Sequence, residues 1–164
     1  MTPRIQPCLW FDSNAQDAAN FYAATFPDSH VDAVHRAPTD YPAGKAGDVL
    51  TVEFTVLGMR FLGLNGGSNV QFNQAVSFQV ITEDQAETDR YWDVLTSNGG
   101  SESQCSWCKD RFGLSWQIVP RRLNELLADP DKGKSQCAFM AMMTMTKIDI
   151  AALEAAAAGD PAHA

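Results

Sequence analysis

The sequence predicts an α+β fold: two paired βαβββ modules forming a curved mixed sheet with outer helices, plus a C-terminal helical extension. Three observations predict it. The order strand, helix, three strands occurs twice, over about residues 5–66 and 75–120. Each helix opens with a capping-box pattern, Ser13 with Gln16 and Thr82 with Gln85. Each helix then places an aromatic pair on its apolar face. Phe21-Tyr22 follows Leu9 by twelve residues, and Tyr91-Trp92 follows Phe78 by thirteen.

In the first module, residues 5–11 read as a strand with Gln6, Cys8 and Trp10 on one face and Leu9 and Phe11 on the other. Ala18, Phe21, Tyr22, Thr25 and Phe26 recur at helical spacing, and Pro27-Asp28 ends that helix. Residues 30–36 form a short strand. Residues 37–48 carry two Pro and two Gly and read as a mobile loop. Residues 49–57 alternate Val52, Phe54 and Val56 against Thr51, Glu53 and Thr55. Leu57-Gly58-Met59 turns the chain into a strand over 60–64, and Asn65-Gly66-Gly67 ends it.

The second module begins with strand 76–81, where Ser77 and Gln79 oppose Val76, Phe78 and Val80. Tyr91, Trp92 and Leu95 form the apolar side of its helix, which Asn98-Gly99-Gly100 terminates. Short strands follow within 101–111. In KDRFGLSWQIVP, residues 109–120, Asp110-Arg111 reads as a turn with solvated charges, and Gly113 leads into the last strand. Leu114, Trp116 and Ile118 then share one face, and Ser115, Gln117 and Val119 the other. The extension, residues 121–158, starts with a short helix over 121–128. A longer helix over 134–158 puts Phe139, Met142, Met143, Ile150 and Leu153 near one stripe, and residues 159–164 form a tail with His163.

The 164-residue chain is 45% hydrophobic and 20% charged, enough to bury the core of a single domain. A net charge of −8 and a pI near 4.7 argue against nucleic-acid backbones and anionic membrane surfaces as partners. They leave small ligands open. No apolar run of membrane-spanning length occurs, and the start does not read as a signal peptide. The expectation is a cytoplasmic protein with its four cysteines reduced. Cys105-Ser-Trp-Cys108 precedes a strand rather than opening a helix, and no second CxxC completes a zinc site.

With the apolar sides of the strands turned to the helices, the polar sides are expected to line a shared hollow. The ligand-binding candidates there are Gln6, Cys8, Trp10, Asn65, Ser77, Gln79, Trp107, Ser115 and Gln117. Buried amides need partners, supplied by the protein, a ligand or water. Trp10 and Trp107 suit stacking on a planar ligand, or belong to the core. Glu53 is the catalytic candidate, as a carboxylate in an apolar hollow; pairing with Arg60 across the turn is the alternative.

The segments PCLWFDSNAQDAANFYAATFPDS, TVEFTVLGMRFLGLNGG, FNQAVSFQV and KDRFGLSWQIVP resemble the PhnB-like branch of the vicinal oxygen chelate superfamily. That superfamily contains glyoxalase I, bleomycin-resistance proteins and extradiol dioxygenases. The resemblance spans about residues 5–155 and implies a homodimer of paired βαβββ modules. Members of the branch often carry the label 3-demethylubiquinone-9 3-methyltransferase. It further implies four positions for a divalent metal, which fall at Gln6, Gly63, Ala75 and Gln117. Gly and Ala offer no side-chain ligand, and neutral amides alone hold a metal weakly. The expectation is therefore no metal and no cofactor, with a small molecule bound. A metal-dependent lyase or dioxygenase, with the ion held by Gln6, Gln117, Glu53 and water, is the alternative. Methyl transfer is a third reading, but the Asn/Gln-rich loop after Gly66-Gly67 does not read as a helix that would hold S-adenosylmethionine.

Overall fold

The computed structural model describes residues 4–159. It divides into two compact units, one ending at Phe72 and the other beginning at Asn73. Each has the expected strand, helix, three-strand order and one four-stranded mixed sheet. Among the described residues, no helix is long and apolar enough to cross a membrane.

The first unit contains β1 (Cys8–Phe11), α1 (Ala15–Thr25), β2 (His30–Arg36), β3 (Val49–Val56) and β4 (Met59–Asn65), with spatial order β1-β4-β3-β2. β1 runs parallel to β4, and the other pairs are antiparallel. The period-two alternation decides which residues form the core. Leu9, Phe11, Val52, Phe54, Val56 and Phe61 are buried together with Ala15, Ala18, Ala19 and Tyr22 of α1. Tyr22 stacks on Phe54 with ring centroids 6.0 Å apart, and Phe54 on Phe61 at 5.4 Å. Leu57 and Gly58 have φ of 48° and 77°, the paired left-handed conformation that closes a two-residue hairpin.

Three expectations for this unit change. The first strand begins at Cys8, so Ile5 and Gln6 lie outside it and are exposed. The Ser13–Gln16 box does not form. Ser13 is held at φ 62° with its hydroxyl on the Asp12 carbonyl, and Asn14, the residue preceding the helix, makes no side-chain cap. The cap comes from fifty residues away, where Asn65 Oδ1 accepts the Ala15 N–H at 2.9 Å. The 37–48 segment, read as a mobile loop, is closed on itself. Ala37 and Asp48 pair, Tyr41 bridges to Gly44, and Arg36 donates to the Gly47 carbonyl.

The second unit contains β5 (Phe78–Thr82), α2 (Gln85–Thr96), β6 (Ser101–Glu102), β7 (Trp107–Lys109), β8 (Ser115–Pro120), α3 (Arg121–Leu127), α4 (Lys132–Met142) and α5 (Ile150–Ala157). Its sheet order is β5-β8-β7-β6, with β5 parallel to β8. Val80, Cys108, Leu114, Trp116 and Ile118 are buried on the side that takes Tyr91, Trp92 and Leu95 of α2. The capping box sits two residues later than expected. Asp84 accepts the Glu87 N–H at 2.8 Å while Glu87 accepts the Glu83 N–H. Thr82 instead pairs its buried hydroxyl with Thr88.

Asp110 corrects the view of its charge as solvated, while Arg111 is exposed. Asp110 is 2% exposed, and its carboxylate accepts from the Phe112 and Leu114 N–H groups and from the Trp116 indole N–H. The 110–113 turn is therefore built around a buried anion that also fixes the core tryptophan.

The single helix expected over 134–158 is two helices, α4 and α5, separated by residues 143–149. Asp149 caps α5 by accepting the Ala152 N–H. Gln85 of α2 holds the break open. Its Nε2 donates to the Ile148 carbonyl and its Oε1 accepts the Ile150 N–H. One stripe no longer exists: Phe139 and Met143 are exposed while Ile148 and Leu153 are fully buried. Val119, Leu123, Leu126, Ala138, Ile148, Leu153 and Ala157 form one apolar cluster. His163 lies outside the described residues.

Candidate functional site

Directly paired residues in a sheet share a face, and the second unit's register therefore defines one polar surface. Trp107 lies opposite Gln117, and Gln117 lies beside Gln79; Lys109 lies opposite Ser115. Cys108 and Trp116, the intervening pair, point to the core. The amides form a chain. Gln117 Nε2 donates to Ser77 Oγ at 2.8 Å, and Gln79 Nε2 reaches Gln117 Oε1 at 3.4 Å, near the limit of a hydrogen bond. Ser115, fully buried, has an Oγ with no hydrogen-bond partner among the described residues. Trp107 and Gln117 are half-buried. Sequence analysis identified Ser77, Gln79, Trp107, Ser115 and Gln117; the structure brings the last four onto one sheet face, with Ser77, just ahead of β5, hydrogen-bonded to Gln117. It passed over Lys109, although that residue sits two positions after Trp107 on the same strand face.

The first unit treats its candidates differently. Gln6 and Cys8 are exposed, and partial burial raises the Cys8 thiol pKa. Trp10 is half-buried against its own turn. Its indole N–H donates to the Gly67 carbonyl at 2.7 Å, and its ring occupies the space where a Cβ on Gly66 would stand. Asn65 is buried and spends both ends of its amide on the fold: Oδ1 on α1, Nδ2 on the Val49 carbonyl. Glu53 is held between the Arg60 guanidinium, with Nη2 at 3.1 Å, and the His35 imidazole, with Nε2 at 3.0 Å.

The fold-implied metal positions do not fit an ion. Gly63 pairs with Leu9 and Val52, and a Cβ there would meet Ala15, Phe11 and Phe54, so this position faces the core. The residues flanking it on the opposite face of β4 are Leu62 and Leu64, which are no better as ligands. Ala75 precedes β5 and Gln6 precedes β1, which leaves the neutral Gln117 amide as the one side-chain ligand on a strand, too weak to hold an ion alone. No group of three His, Cys, Asp or Glu is placed to hold an ion among the described residues. Of the CxxC pair, Cys108 is buried and its pKa is pushed up to about 12, first by desolvation and then by Asp110 and Glu102. That is the opposite of an activated redox thiol.

A cleft of 780 Å³ in the second unit, lined by Glu83, Asp89, Arg122, Lys147 and Glu154 among others, lies where the extension meets α2. Its charges pair among themselves or with neighbours: Glu83 with Arg121, Asp89 with Lys147, Glu154 with Arg122. It is a junction between elements.

The profile of the family described as 3-demethylubiquinone-9 3-methyltransferase matches residues 3–119. Among curated proteins, none matches. Among solved structures, a putative 3-demethylubiquinone-9 3-methyltransferase, PhnB protein, from Bacillus cereus is 28% identical with a TM-score of 0.64. The match covers 72% of this chain and 99% of that one. Protein PA1353 from Pseudomonas aeruginosa is 18% identical with a TM-score of 0.59, over 73% of this chain and 98% of that one. A glyoxylase/bleomycin resistance protein/dioxygenase domain from Frankia sp. EAN1pec is 12% identical with a TM-score of 0.46, over 73% and 92%. With a repeated βαβββ unit and a profile match across most of its length, the chain belongs to the PhnB-like, 3-demethylubiquinone-9 3-methyltransferase family.

Proposed function

We propose that this protein binds a small molecule on the polar sheet face of its second unit, using Gln117, Gln79, Ser77, Ser115 and Trp107, with no metal ion in the site. The Ser77–Gln117–Gln79 chain carries the proposal. It is an array of neutral donors and acceptors beside an indole, with the long Gln79–Gln117 contact free to be exchanged for a ligand atom at little cost. A homodimer is part of the same reading, on the family resemblance.

Methyl transfer, the activity in the family's description, is poorly supported by the chain's own residues. β4 is followed by Gly66, seated on the Trp10 ring, and then by turns and irregular chain to residue 77. A glycine-rich loop opening a helix, the usual cradle for a nucleotide-like cofactor, does not follow that strand.

Elemental analysis of full-length protein purified without chelator tests the proposal, together with fragment binding followed through the Trp107 indole resonance. Substoichiometric metal is expected, with fragments displacing the Trp107 and Gln117 side-chain signals and losing affinity in Gln117→Ala. A stoichiometric Zn, Fe, Mn or Ni ion would replace this function with a metal-dependent lyase or dioxygenase. Calorimetric binding of S-adenosylmethionine would restore methyl transfer.

A further inference from the structure

Lys109 is half-buried on β7, yet its ammonium makes no hydrogen bond or ion pair among the described residues. Of the other lysines in this unit, Lys132 and Lys134 also make no ion pair among the described residues, but both are exposed. Arg90, Arg121, Arg122 and Lys147 of the same unit each meet a carboxylate. In a chain of net charge −8, a half-buried lysine without a counter-ion is a place where an anion can bind. Directly opposite it on β8 is Ser115, whose buried hydroxyl is also unpartnered. Both side chains lie on the face that carries Trp107 and Gln117.

The two side chains are adjacent, and an anion would partner both. We propose that Lys109 and Ser115 form a subsite for the carboxylate of a planar organic monoanion. One ammonium and one hydroxyl match the charge and two oxygens of a single carboxylate. A phosphoryl group, with more charge and a third oxygen, calls for more cations than this face holds. Trp107 and Lys109 are two residues apart on one strand, so their side chains stand about 7 Å apart. That spacing puts a conjugated ring against the indole while its carboxylate reaches Lys109. Gln117, opposite Trp107, and Gln79 beyond it would then meet a polar substituent on the far side of the ring. This assignment rests on the small-molecule site proposed above and narrows its ligand to aromatic or conjugated carboxylic acids.

Sodium benzoate and its neutral analogue benzamide, titrated into full-length protein at constant ionic strength, separate the two levels. Two-dimensional amide spectra report the Trp107 indole and the Gln117 side-chain NH₂. Benzoate is expected to move both signals saturably. Lys109→Met should weaken it about tenfold, the scale of one lost charge-assisted hydrogen bond, while Lys109→Arg retains it. Ser115→Ala should weaken it several-fold, and benzamide should be indifferent to Lys109→Met. If benzamide binds as well as benzoate and Lys109→Met changes neither, the carboxylate subsite is wrong and the neutral site stands. If neither probe moves the two signals, both are overturned. Urea midpoints of the variants separate lost binding from lost folding.

Discussion

The Cys108 thiol, buried on the core side of β7 near the Asp110 and Glu102 carboxylates, has its pKa raised to about 12. The unfolded chain would ionise the same thiol near pH 8.5–9. Between those values the unfolded state has lost a proton that the native state keeps, so stability falls as pH rises. The slope from this group is about 1.4 kcal/mol per pH unit above pH 9, and the contribution is fully present below it. Urea unfolding at pH 8, 9 and 10 should show that loss in wild type and a smaller one in Cys108→Ala. In native protein at pH 8, a thiol reagent should label exposed Cys137 and leave Cys108 unreacted; rapid labelling of Cys108 would contradict its burial. Cys108 also shows how legible single residues were. Its CxxC spacing was set aside because a strand, not a helix, follows it. Asn65, by contrast, was taken for a ligand residue. Its role as the cap of α1 depends on a contact across fifty residues that no local pattern encodes. Asp110 escaped for the same reason, since the Trp116 indole that holds it is six residues away and reached only once the turn has formed.

At the scale of elements, period-two and helical patterning located the strands and α1 to α3 because one buried face writes itself directly into sequence. The α4–α5 break was not legible. Residues 134–158 contain no Pro, and the single Gly in the stretch from 133 to 158 is Gly133. What interrupts the helix is external: Gln85 occupies the Ile148 carbonyl and the Ile150 N–H, both of which a continuous helix would use internally. Two backbone links from the 143–149 segment, Cys105 N–H to the Met145 carbonyl and Ser106 N–H to the Thr146 carbonyl, fasten it next to Trp107. Gln85→Ala removes both side-chain bonds and leaves two partly buried backbone groups unpaired, at a cost of about 2 kcal/mol. Hydrogen exchange should then accelerate at Ile150 and through α5, with α1 in the first unit unchanged. Unchanged protection of α5 would show that the helix break does not depend on Gln85. The side chains of the Lys147–Asp89 pair nearby are 36% and 41% exposed, so Lys147→Ala should cost well under 1 kcal/mol.

For the whole molecule, the internal duplication carried most of the fold. One βαβββ pattern read twice sufficed to set element order and fold class, and the family match ends at residue 119. The chain goes on for α3, α4 and α5, whereas 72% of it already spans 99% of the Bacillus cereus structure. In this protein the extension is integral to the second unit. Val119 of β8 lies in the same apolar cluster as Ile148 and Leu153, and both of these are fully buried. Burial of two such side chains contributes about 3–6 kcal/mol, a large share of the stability of an ordinary domain. Truncation after Ala128 strips these contacts and exposes Val119, Leu123 and Leu126. The truncated chain should therefore unfold at a markedly lower urea concentration or fail to stay soluble. It should also lose ligand-dependent shifts at Trp107, whose strand is tied through residues 105 and 106 to the missing segment. A truncated protein with an unchanged unfolding midpoint would make the extension an independent appendage, and the binding face a property of the family's shared core, residues 3–119, alone.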